Sequence, residues 1–284
     1  MKILITGAKG QVGSELVLEA EKRGHEVYSF TSSELDITNC LLVNDKISRI
    51  KPCVVINAAA YTSVDKAEEE KQKAYTVNEL GVKNLAESCK KLDIPLLHIS
   101  TDYVFDGDKK ESYVETDTPN PTSVYGASKR AGEIALQNTW VKHIILRVSW
   151  VFGEHGNNFV KTMLRLAKDS NELSVVNDQF GAPTAAIDIA KALLDLAIDD
   201  KKDFGVYHLE SNPNVSWHGF AQKIFEQAKV LGLIKNIPLV NAINSSQFKT
   251  PVKRPANSKL ATTKGLPAVT WTDALSKMLK DMSA

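Results

Sequence analysis

Residues 2–13, KILITGAKGQVG, contain the pattern that decides the fold of this chain. The first five are apolar or β-branched except for one lysine, which predicts a buried strand. Gly7, Gly10 and Gly13 follow, where the strand gives way to an amphipathic helix. In such a turn Gly7 allows a tight bend, Gly10 lets backbone approach a pyrophosphate, and Gly13 permits close packing of helix on strand. Three glycines in a turn are weak support alone, but their place in the first βα unit indicates a dinucleotide-binding fold.

Short apolar strands alternate with amphipathic helices over the first two-thirds of the chain. The predicted strands are Lys2–Thr6, Glu26–Phe30, Cys53–Asn57, Pro95–Ser100 and Ile144–Val148. The predicted helices are Gln11–Arg23, Ala74–Leu92 and one through Tyr125–Asn138. Strands that are nearly all apolar and are linked by helices are typical of a parallel sheet covered on both faces. Because crossovers are right-handed, the predicted fold class is α/β, a Rossmann-like doubly wound parallel sheet.

The alternation of strands and helices loosens beyond about Gly153. Further helices are predicted at Asn158–Lys168, Ala186–Ile198, Trp217–Leu231 and Thr272–Met282. We therefore predict a dinucleotide-binding Rossmann domain over residues 1–152 and a smaller, mainly substrate-binding lobe over residues 153–284, with segments that return to the Rossmann core. No flexible linker separates the two parts, so they are expected to fold as one unit or nearly so.

Composition and charge exclude several classes of protein. The 284 residues carry 35 Lys and Arg against 34 Asp and Glu, a formal net charge of +1, which gives no general attraction to nucleic acid or to an anionic membrane. Three cysteines without close spacing argue against a disulfide framework or a cysteine-rich zinc site. No run approaches about 20 apolar residues, and no signal peptide precedes the first strand, so we expect a cytoplasmic protein.

The end of the second predicted strand bears on the choice of cofactor. It reads VYSFTSS, with no acidic residue to accept from an adenosine ribose hydroxyl. Thr31, Ser32 and Ser33 are neutral donors that suit either nicotinamide cofactor, so we predict NADP and leave NAD open. Asp36, a few residues later in LDIT, suits the adenine amino group, with a helix N-cap as the alternative interpretation.

A second motif, PTSVYGASKRAGE, indicates the chemistry. Tyr125 and Lys129 lie four residues apart, which in a helix places both side chains on one face. An ammonium near a phenol lowers the pKa of the phenol, so that Tyr125 can donate a proton to a carbonyl oxygen while a nicotinamide supplies hydride. Ser100 and Thr101 end a predicted strand at the edge where doubly wound sheets bind ligands, and one hydroxyl can polarise the same carbonyl.

Taken together, these motifs resemble the extended short-chain dehydrogenase/reductase family, and within it the reductases of dTDP-4-dehydrorhamnose. The matching segments span nearly the whole chain: TGAKGQVG, LDIT, NAAAYTSVDKAE, VNELGVKNLA, ISTDYVFDG, PTSVYGASKRAGE, RVSWVFG, NNFV, QFGAPT and RPANSKL. The resemblance implies NAD(P)H-dependent reduction of the C4 carbonyl of a dTDP-4-keto-6-deoxy sugar, which forms dTDP-L-rhamnose for cell-surface polysaccharide. The sugar and the base rest on this resemblance alone.

The resemblance also implies roles for individual residues. The catalytic residues would be Thr101, Tyr125 and Lys129. Cofactor contacts would come from Gly7, Gly10, Gln11, Val12, Gly13, Asp36, Ile37, Ala58, Ala59, Ala60, Tyr125 and Lys129. The substrate would meet Thr101, Tyr103, Tyr125, Trp150, Asn158 and Arg254. Trp150 suits a flat apolar wall, and the Arg254 guanidinium matches the oxygens of a diphosphate.

One feature of the family is not matched in this chain. Some members dimerise around magnesium held by glutamates, and Glu15 corresponds to one such ligand. The segment that follows GAPT, however, reads AAIDIA and has no glutamate. We therefore predict no metal site, and we leave open whether the protein forms a homodimer.

Three related functions compete with a reductase. Related 4,6-dehydratases carry Asp-Glu after the strand-end threonine, whereas Asp102 and Tyr103 follow Thr101 here, which argues against dehydration. A nucleotide-sugar 4-epimerase shares the Tyr–Lys pair and stays an alternative. So does a non-catalytic NADP-binding regulatory subunit that resembles the one of methionine adenosyltransferase.

Overall fold

The structure is a computed structural model and describes residues 1–283. Its strands are β1 (Lys2–Thr6), β2 (Glu26–Phe30), β3 (Val54–Asn57), β4 (Leu96–Thr101), β5 (His143–Val148), β6 (Val151–Phe152), β7 (Glu172–Val176), β8 (Phe180–Gly181), β9 (Thr184–Ala185), β10 (Gly205–His208), β11 (Ser211–Asn212), β12 (Val215–Ser216), β13 (Leu239–Ile243) and β14 (Val269–Thr270). Its α-helices are α1 (Gln11–Lys22), α2 (Cys40–Ile50), α3 (Val64–Ala67), α4 (Lys71–Tyr75), α5 (Gly81–Lys91), α6 (Val124–Thr139), α7 (Phe159–Asp169), α8 (Ala186–Ile198), α9 (Trp217–Val230) and α10 (Trp271–Ser283).

A parallel sheet of six strands forms the centre of the part of the chain that the structure describes. The spatial order is β2-β1-β3-β4-β5-β10, and each neighbouring pair runs parallel. The predicted α/β fold with a doubly wound parallel sheet is therefore confirmed. The order of the strands reverses between β1 and β3, and ligands of such sheets bind in the crevice at this switch point. Gly7 and Ala58 directly follow these two strands, so the switch point lies at the glycine turn.

Helices cover both faces of this sheet because the side chains of each strand alternate between the two. Ile3 and Ile5 of β1 pack with α1 and α8, whereas Leu4 packs with α2 and α5 on the other side. The side chains of Ile3, Leu4 and Ile5 are all fully buried. The glycine turn is thus anchored by a strand whose neighbours fill both sides of the core.

Parts of the second half of the chain join this sheet. Strand β10 forms its edge beside β5, and α8 packs on α1. The rest of the second half forms an apolar cluster of its own around Phe220, Trp271 and Leu275, covered by the two-stranded pair of β7 and β13. This cluster stands beside the end of the sheet at which β1, β3 and β4 terminate.

The observed elements differ from the predicted ones at several places, and strands β6 to β9 and β11 to β14 and helix α3 are among those that were not predicted. Helix α2 and strand β10 were not predicted, although the Asn39 side chain that accepts from the Leu42 amide is a cap that its sequence position could have suggested. The predicted helix Ala74–Leu92 is interrupted by a π-helical turn at Thr76–Leu80. Hydrophobic periodicity does not register such a turn, because it inserts only one residue into the helical repeat.

Across residues 1–283, we find no helix whose length and apolar character would let it cross a membrane.

Candidate active site

A cleft of about 1930 Å³ opens between the carboxyl ends of the central strands and the second half of the chain. Pockets for one drug-sized ligand are typically ~300–1,000 Å³, so this cleft has room for a dinucleotide together with a second large ligand. Nearly every residue predicted to bind cofactor or substrate lines it. The exception is Gly13, which packs beneath the glycine turn.

The glycine turn brings backbone against backbone. Gly7 has a φ of +70°, and a Cβ atom there would lie 2.5 Å from the amide nitrogen of Ala59. A Cβ atom on Gly13 would lie 2.1 Å from the carbonyl oxygen of Gly7. Helix α1 therefore starts directly against the turn, and no side chain caps the amides of its first turn. A cradle of free amides lined by glycine suits the pyrophosphate of a dinucleotide.

Substitution of Gly7 by alanine is expected to destabilise the fold and to weaken cofactor binding. The left-handed conformation costs an L-residue about 1–2 kcal/mol, and the clash with Ala59 adds to this cost. Gly24→Ala is the matched control, since Gly24 has a φ of +75° with no atom within 4 Å of its Cβ position. Thermal unfolding of both variants should show the larger loss for Gly7→Ala. Equal losses would contradict the close approach.

The end of β2 differs from the prediction in one respect. An acidic side chain does lie here: Glu34 accepts from the amide of Thr31 at 2.8 Å and from its hydroxyl at 2.7 Å. These hydrogen bonds hold the pKa of Glu34 below its ordinary value. Thr31, Ser32, Ser33 and the cation of Lys9 line the cleft. The sequence does not reveal this contact, because Glu34 lies beyond the strand and its carboxylate folds back across a turn to Thr31.

The Asp36 carboxylate also lines the cleft, together with Ile37. Its Oδ1 accepts from the amide of Thr38 at 2.9 Å and from its hydroxyl at 2.8 Å. The N-cap of α2 is Asn39 and not Asp36. The cap interpretation of Asp36 is therefore wrong, while its contact with adenine stays a prediction.

The predicted catalytic residues meet where β4 ends and α6 begins. Thr101 is the last residue of β4, and Tyr125 lies in the first turn of α6, whose N-cap Ser123 accepts from the Gly126 amide. A Cβ atom on Gly126 would lie 2.1 Å from the carbonyl oxygen of Tyr103, so only glycine lets the helix start this close to the strand end. The rings of Tyr103 and Tyr125 then meet edge to face, 5.5 Å apart.

The Tyr125 phenol is held in its protonated form. Burial raises its pKa, the charge of Asp102 raises it further, and a hydrogen bond with Thr101 acts in the opposite direction. This direction is the reverse of the lowering that the spacing of Tyr125 and Lys129 predicted, because desolvation of the phenolate dominates. A protonated phenol is nevertheless the form that can donate to a carbonyl oxygen.

Burial acts in the opposite sense on Lys129 and lowers its pKa to about 8. Its Nζ donates to the carbonyl oxygen of Ile99 at 2.7 Å and lies 3.3 Å from Nε2 of His98. The lysine side chain is thus held by β4, the strand that also carries Thr101. Asp102, the residue after Thr101, is also buried here, and its burial raises its pKa to about 6.

Aromatic side chains form the wall across from the catalytic residues. Trp150 stacks on Trp217 with 3.6 Å between ring centroids and an angle of 11°. Phe159 adds a third ring, 4.6 Å from Trp217. Trp150 has a φ of +46°, and its indole lies against Gly181, where a Cβ atom would approach to 2.7 Å. The absence of a side chain at Gly181 thus leaves the room that the Trp150 indole occupies in this wall.

Asn158 and Arg254 lie at two different edges of the cleft. Asn158 caps α7 and donates to Oε1 of Gln11 at 3.0 Å, so it meets a predicted cofactor residue directly. Arg254 pairs with Asp65 at 3.1 Å, across 189 positions of the sequence. This ion pair joins the short helix α3 to the segment before β14 at the edge of the cleft. The Arg254 side chain is about one-third exposed.

Comparisons with known proteins agree with this geometry. The family model described as "RmlD substrate binding domain" matches residues 1–284. The chain belongs to this family. A dTDP-4-dehydrorhamnose reductase of Aggregatibacter actinomycetemcomitans is 49% identical, over 96% of this chain and 97% of the relative. The predicted family and the predicted enzyme class, a nicotinamide-dependent oxidoreductase, are therefore confirmed.

Two solved structures of dTDP-4-dehydrorhamnose reductases superpose on nearly the whole chain. The crystal structure of a dTDP-4-dehydrorhamnose reductase of Clostridium acetobutylicum has a TM-score of 0.94 and 40% identity, with 100% of each chain covered. That of Bacillus anthracis, in complex with NADP, has a TM-score of 0.92 and 37% identity, with 99% of each chain covered. The fold of this RmlD family member, including its second half, is therefore shared with these reductases.

Several residues in or beside the cleft of this family member were missed from the sequence. Lys9 lies inside the glycine turn, Asp65 pairs with Arg254, and Trp217 comes from a helix far along the chain. Asp65 stands in the motif TSVDKAE, which could have pointed to it. In the described part of the chain, no group of three or more His, Cys, Asp or Glu side chains is placed to hold a metal ion.

Proposed function

We propose that this protein reduces the C4 carbonyl of dTDP-4-dehydrorhamnose to give dTDP-L-rhamnose, with NADPH as the hydride donor and Tyr125 as the proton donor. The observation that carries the proposal is the meeting of a buried, protonated Tyr125 with Thr101 and Lys129 at the floor of a cleft that also contains the glycine cradle. The near-identical fold of reductases with this name supports the substrate.

The chain's own residues supply the acid and the orientation. When bound, the nicotinamide supplies hydride to the carbonyl carbon. Tyr125 gives its phenolic proton to the carbonyl oxygen. The Thr101 hydroxyl donates to Asp102 Oδ1 at 2.9 Å, and on binding of the substrate it would turn to donate to the carbonyl oxygen and so orient it. Charge then remains on the phenolate, in a site from which water is excluded by burial. The ammonium of Lys129 stabilises this charge, since it is held on the same helix face one turn away.

Different parts of the cleft bind the cofactor and the substrate. The cofactor is held by the glycine turn with Gln11 and Val12, by the segment Ala58–Ala60 and by the region of Asp36 and Ile37. The second half of the chain, apart from α8 and β10, covers the substrate, which also meets Thr101, Tyr103, Tyr125 and Trp150 of the first part. Lys9 favours NADP, because its cation acts on Glu34, whose carboxylate accepts from Thr31 at the end of β2, where these folds accommodate a 2′-phosphate. The NADP complex of the Bacillus anthracis relative supports this choice. Glu34 disfavours a phosphate, so NADH is expected to serve as well, though less efficiently.

The proposal is tested by a coupled assay. The upstream dehydratase and epimerase convert dTDP-glucose to the 4-keto-L-sugar, and this protein is then added with NADPH or NADH. We expect stoichiometric loss of absorbance at the nicotinamide band and formation of dTDP-L-rhamnose. Active upstream enzymes with no loss of absorbance would disprove the proposed reaction. Conversion of the sugar nucleotide with bound cofactor but no net oxidation of it would indicate a 4-epimerase. Cofactor binding without any conversion of the sugar nucleotide would indicate a regulatory subunit.

Arg254→Gln is expected to raise the KM for the sugar nucleotide about tenfold while kcat changes little. A hydrogen bond between charged groups contributes roughly 1.5–3 kcal/mol, and a contact made equally in ground and transition states affects KM alone. Arg49→Gln is the control, because Arg49 also pairs with an aspartate, Asp45, on a helix outside the cleft. An unchanged KM for Arg254→Gln would remove Arg254 from the diphosphate site.

A further inference from the structure

A row of buried polar side chains runs beneath the active site and ends at Lys129. The strand register places Thr6, Asn57 and His98 side by side on β1, β3 and β4. The Thr6 hydroxyl donates to Asn57 Oδ1 at 2.6 Å, Asn57 Nδ2 lies 2.9 Å from His98 Nδ1, and His98 Nε2 lies 3.3 Å from Lys129 Nζ. Thr6, Asn57 and His98 are fully buried. Such a chain is costly in the core of a sheet unless each of its members is hydrogen-bonded.

The hydrogen bonds of this row determine where the His98 ring carries its proton. The backbone amide of Ala59 can only donate, and it lies 3.1 Å from Asn57 Oδ1, so the amide group of Asn57 cannot be turned around. Asn57 Nδ2 therefore faces His98 and donates. His98 Nδ1 must accept, which leaves it without a proton. A neutral imidazole then carries its proton on Nε2, the atom that points at Lys129.

We propose that His98 is a positioning residue for Lys129: the Nε2–H of His98 faces the lysine nitrogen and favours the neutral amine of Lys129 over its ammonium. An ammonium has no lone pair to accept from Nε2–H, whereas a neutral amine does. Thr6 and Asn57 hold the imidazole in this tautomer. The row thus brings the ionisation of the lysine into the working pH range, a consequence for turnover that rests on the proposed function.

The surroundings of Lys129 agree with this assignment. Burial lowers the pKa of His98 well below its ordinary value, so the ring is neutral. The groups that act on the lysine and on its neighbour Tyr125 come from β4, from the turn that follows β4, and from α6: they are His98, Asp102, Tyr103 and Glu133. Glu133 raises the pKa of Lys129 and therefore opposes His98, but its carboxylate is shared with Arg130 and Arg147.

The first test reads the tautomer of the unaltered protein and needs no substrate. Long-range ¹⁵N–¹H correlation of the histidine rings shows which nitrogen is protonated, and the His98→Leu variant identifies the signals of His98. We expect a proton on Nε2 and a bare Nδ1 from pH 6 to 9. A proton on Nδ1 would overturn the proposal.

The second test follows the ionisation of Lys129 through its ¹³Cε resonance, assigned with Lys129→Met. His98→Leu is expected to raise the midpoint by about half to one pH unit, as the loss of one hydrogen bond implies. Asn57→Asp should raise it further, because a carboxylate there would place the ring proton on Nδ1 and let Nε2 accept from the ammonium. His143→Leu removes another buried imidazole, which lies at the start of β5 and not at the carboxyl end that faces the cleft. This variant should leave the midpoint unchanged.

In the dependence of kcat on pH, the fall on the alkaline side should shift in every variant together with the midpoint of the Lys129 ionisation. A role limited to packing would lower stability and leave both the midpoint and this alkaline fall in place, and that result would disprove the proposal. If the midpoint moves while no variant, nor the unaltered protein, turns over the sugar nucleotide, then His98 acts on Lys129 as proposed and the reductase function is wrong.

Discussion

Replacement of Tyr125 by phenylalanine is expected to lower kcat by a factor of about 10³, while NADPH still binds. General acid catalysis contributes typically 10²–10⁴-fold, and the phenylalanine ring keeps the shape of the side chain without the proton. The loss should be the same from pH 6 to 8, because burial keeps the pKa of Tyr125 far above this range. Coupled turnover and fluorescence titration with NADPH measure the two effects separately.

Tyr207→Phe provides the matched control for this substitution. Tyr207 is a buried tyrosine of the same sheet, and its hydroxyl donates to the carbonyl oxygen of Asp203, away from the cleft. Its loss should cost about 1 kcal/mol of stability and leave kcat unchanged. If Tyr125→Phe kept more than about a tenth of the activity, another group would have to donate the proton.

Replacement of Arg147 by methionine is expected to destabilise the fold by about 3–5 kcal/mol at neutral pH. Arg147 donates to both carboxylate oxygens of Glu133, at 2.8 and 2.7 Å, and neither side chain is appreciably exposed. Removal of one partner of a buried ion pair leaves an uncompensated charge. Arg130, at 2.9 Å from Glu133, keeps the loss from being larger.

The pH dependence of this loss has a definite sign. Burial alone would raise the pKa of Glu133, but the hydrogen bonds and charge of Arg147 more than offset it and hold the pKa low. In the unaltered protein the carboxylate therefore contributes stability that is present above its unfolded pKa, about 4.5, and is lost as the pH falls further. In Arg147→Met burial prevails, so stability should fall as the pH rises above about 4.5. The destabilisation is then larger at pH 7 than at pH 5.

Urea unfolding at pH 5 and pH 7 measures this difference. The double variant Arg147→Met with Glu133→Gln should recover much of the stability at pH 7, because no buried charge is left. Arg49→Met breaks an exposed pair of similar length, at 2.7 Å, and should cost less than about 1 kcal/mol at either pH. An equal loss at both pH values would show that Glu133 does not carry the charge.

The amino-acid sequence by itself determined the fold class, the glycine turn and the pairing of Tyr125 with Lys129. These features are local: strand and helix periodicity, glycine spacing and a four-residue step along a helix are all visible within about a dozen residues. They also allowed the family to be stated from the motifs, and the comparisons confirmed it.

Only the tertiary structure decided what surrounds these residues. Asp65 meets Arg254 across 189 positions, and His98 of β4 lies beside Lys129 of α6 and opposite Asn57 of β3, contacts that no single segment reveals. The direction of the Tyr125 pKa was decided in the same way. The sequence shows a neighbouring cation but not the depth of burial, and desolvation, which depends on the packing of the whole chain, proved the stronger effect.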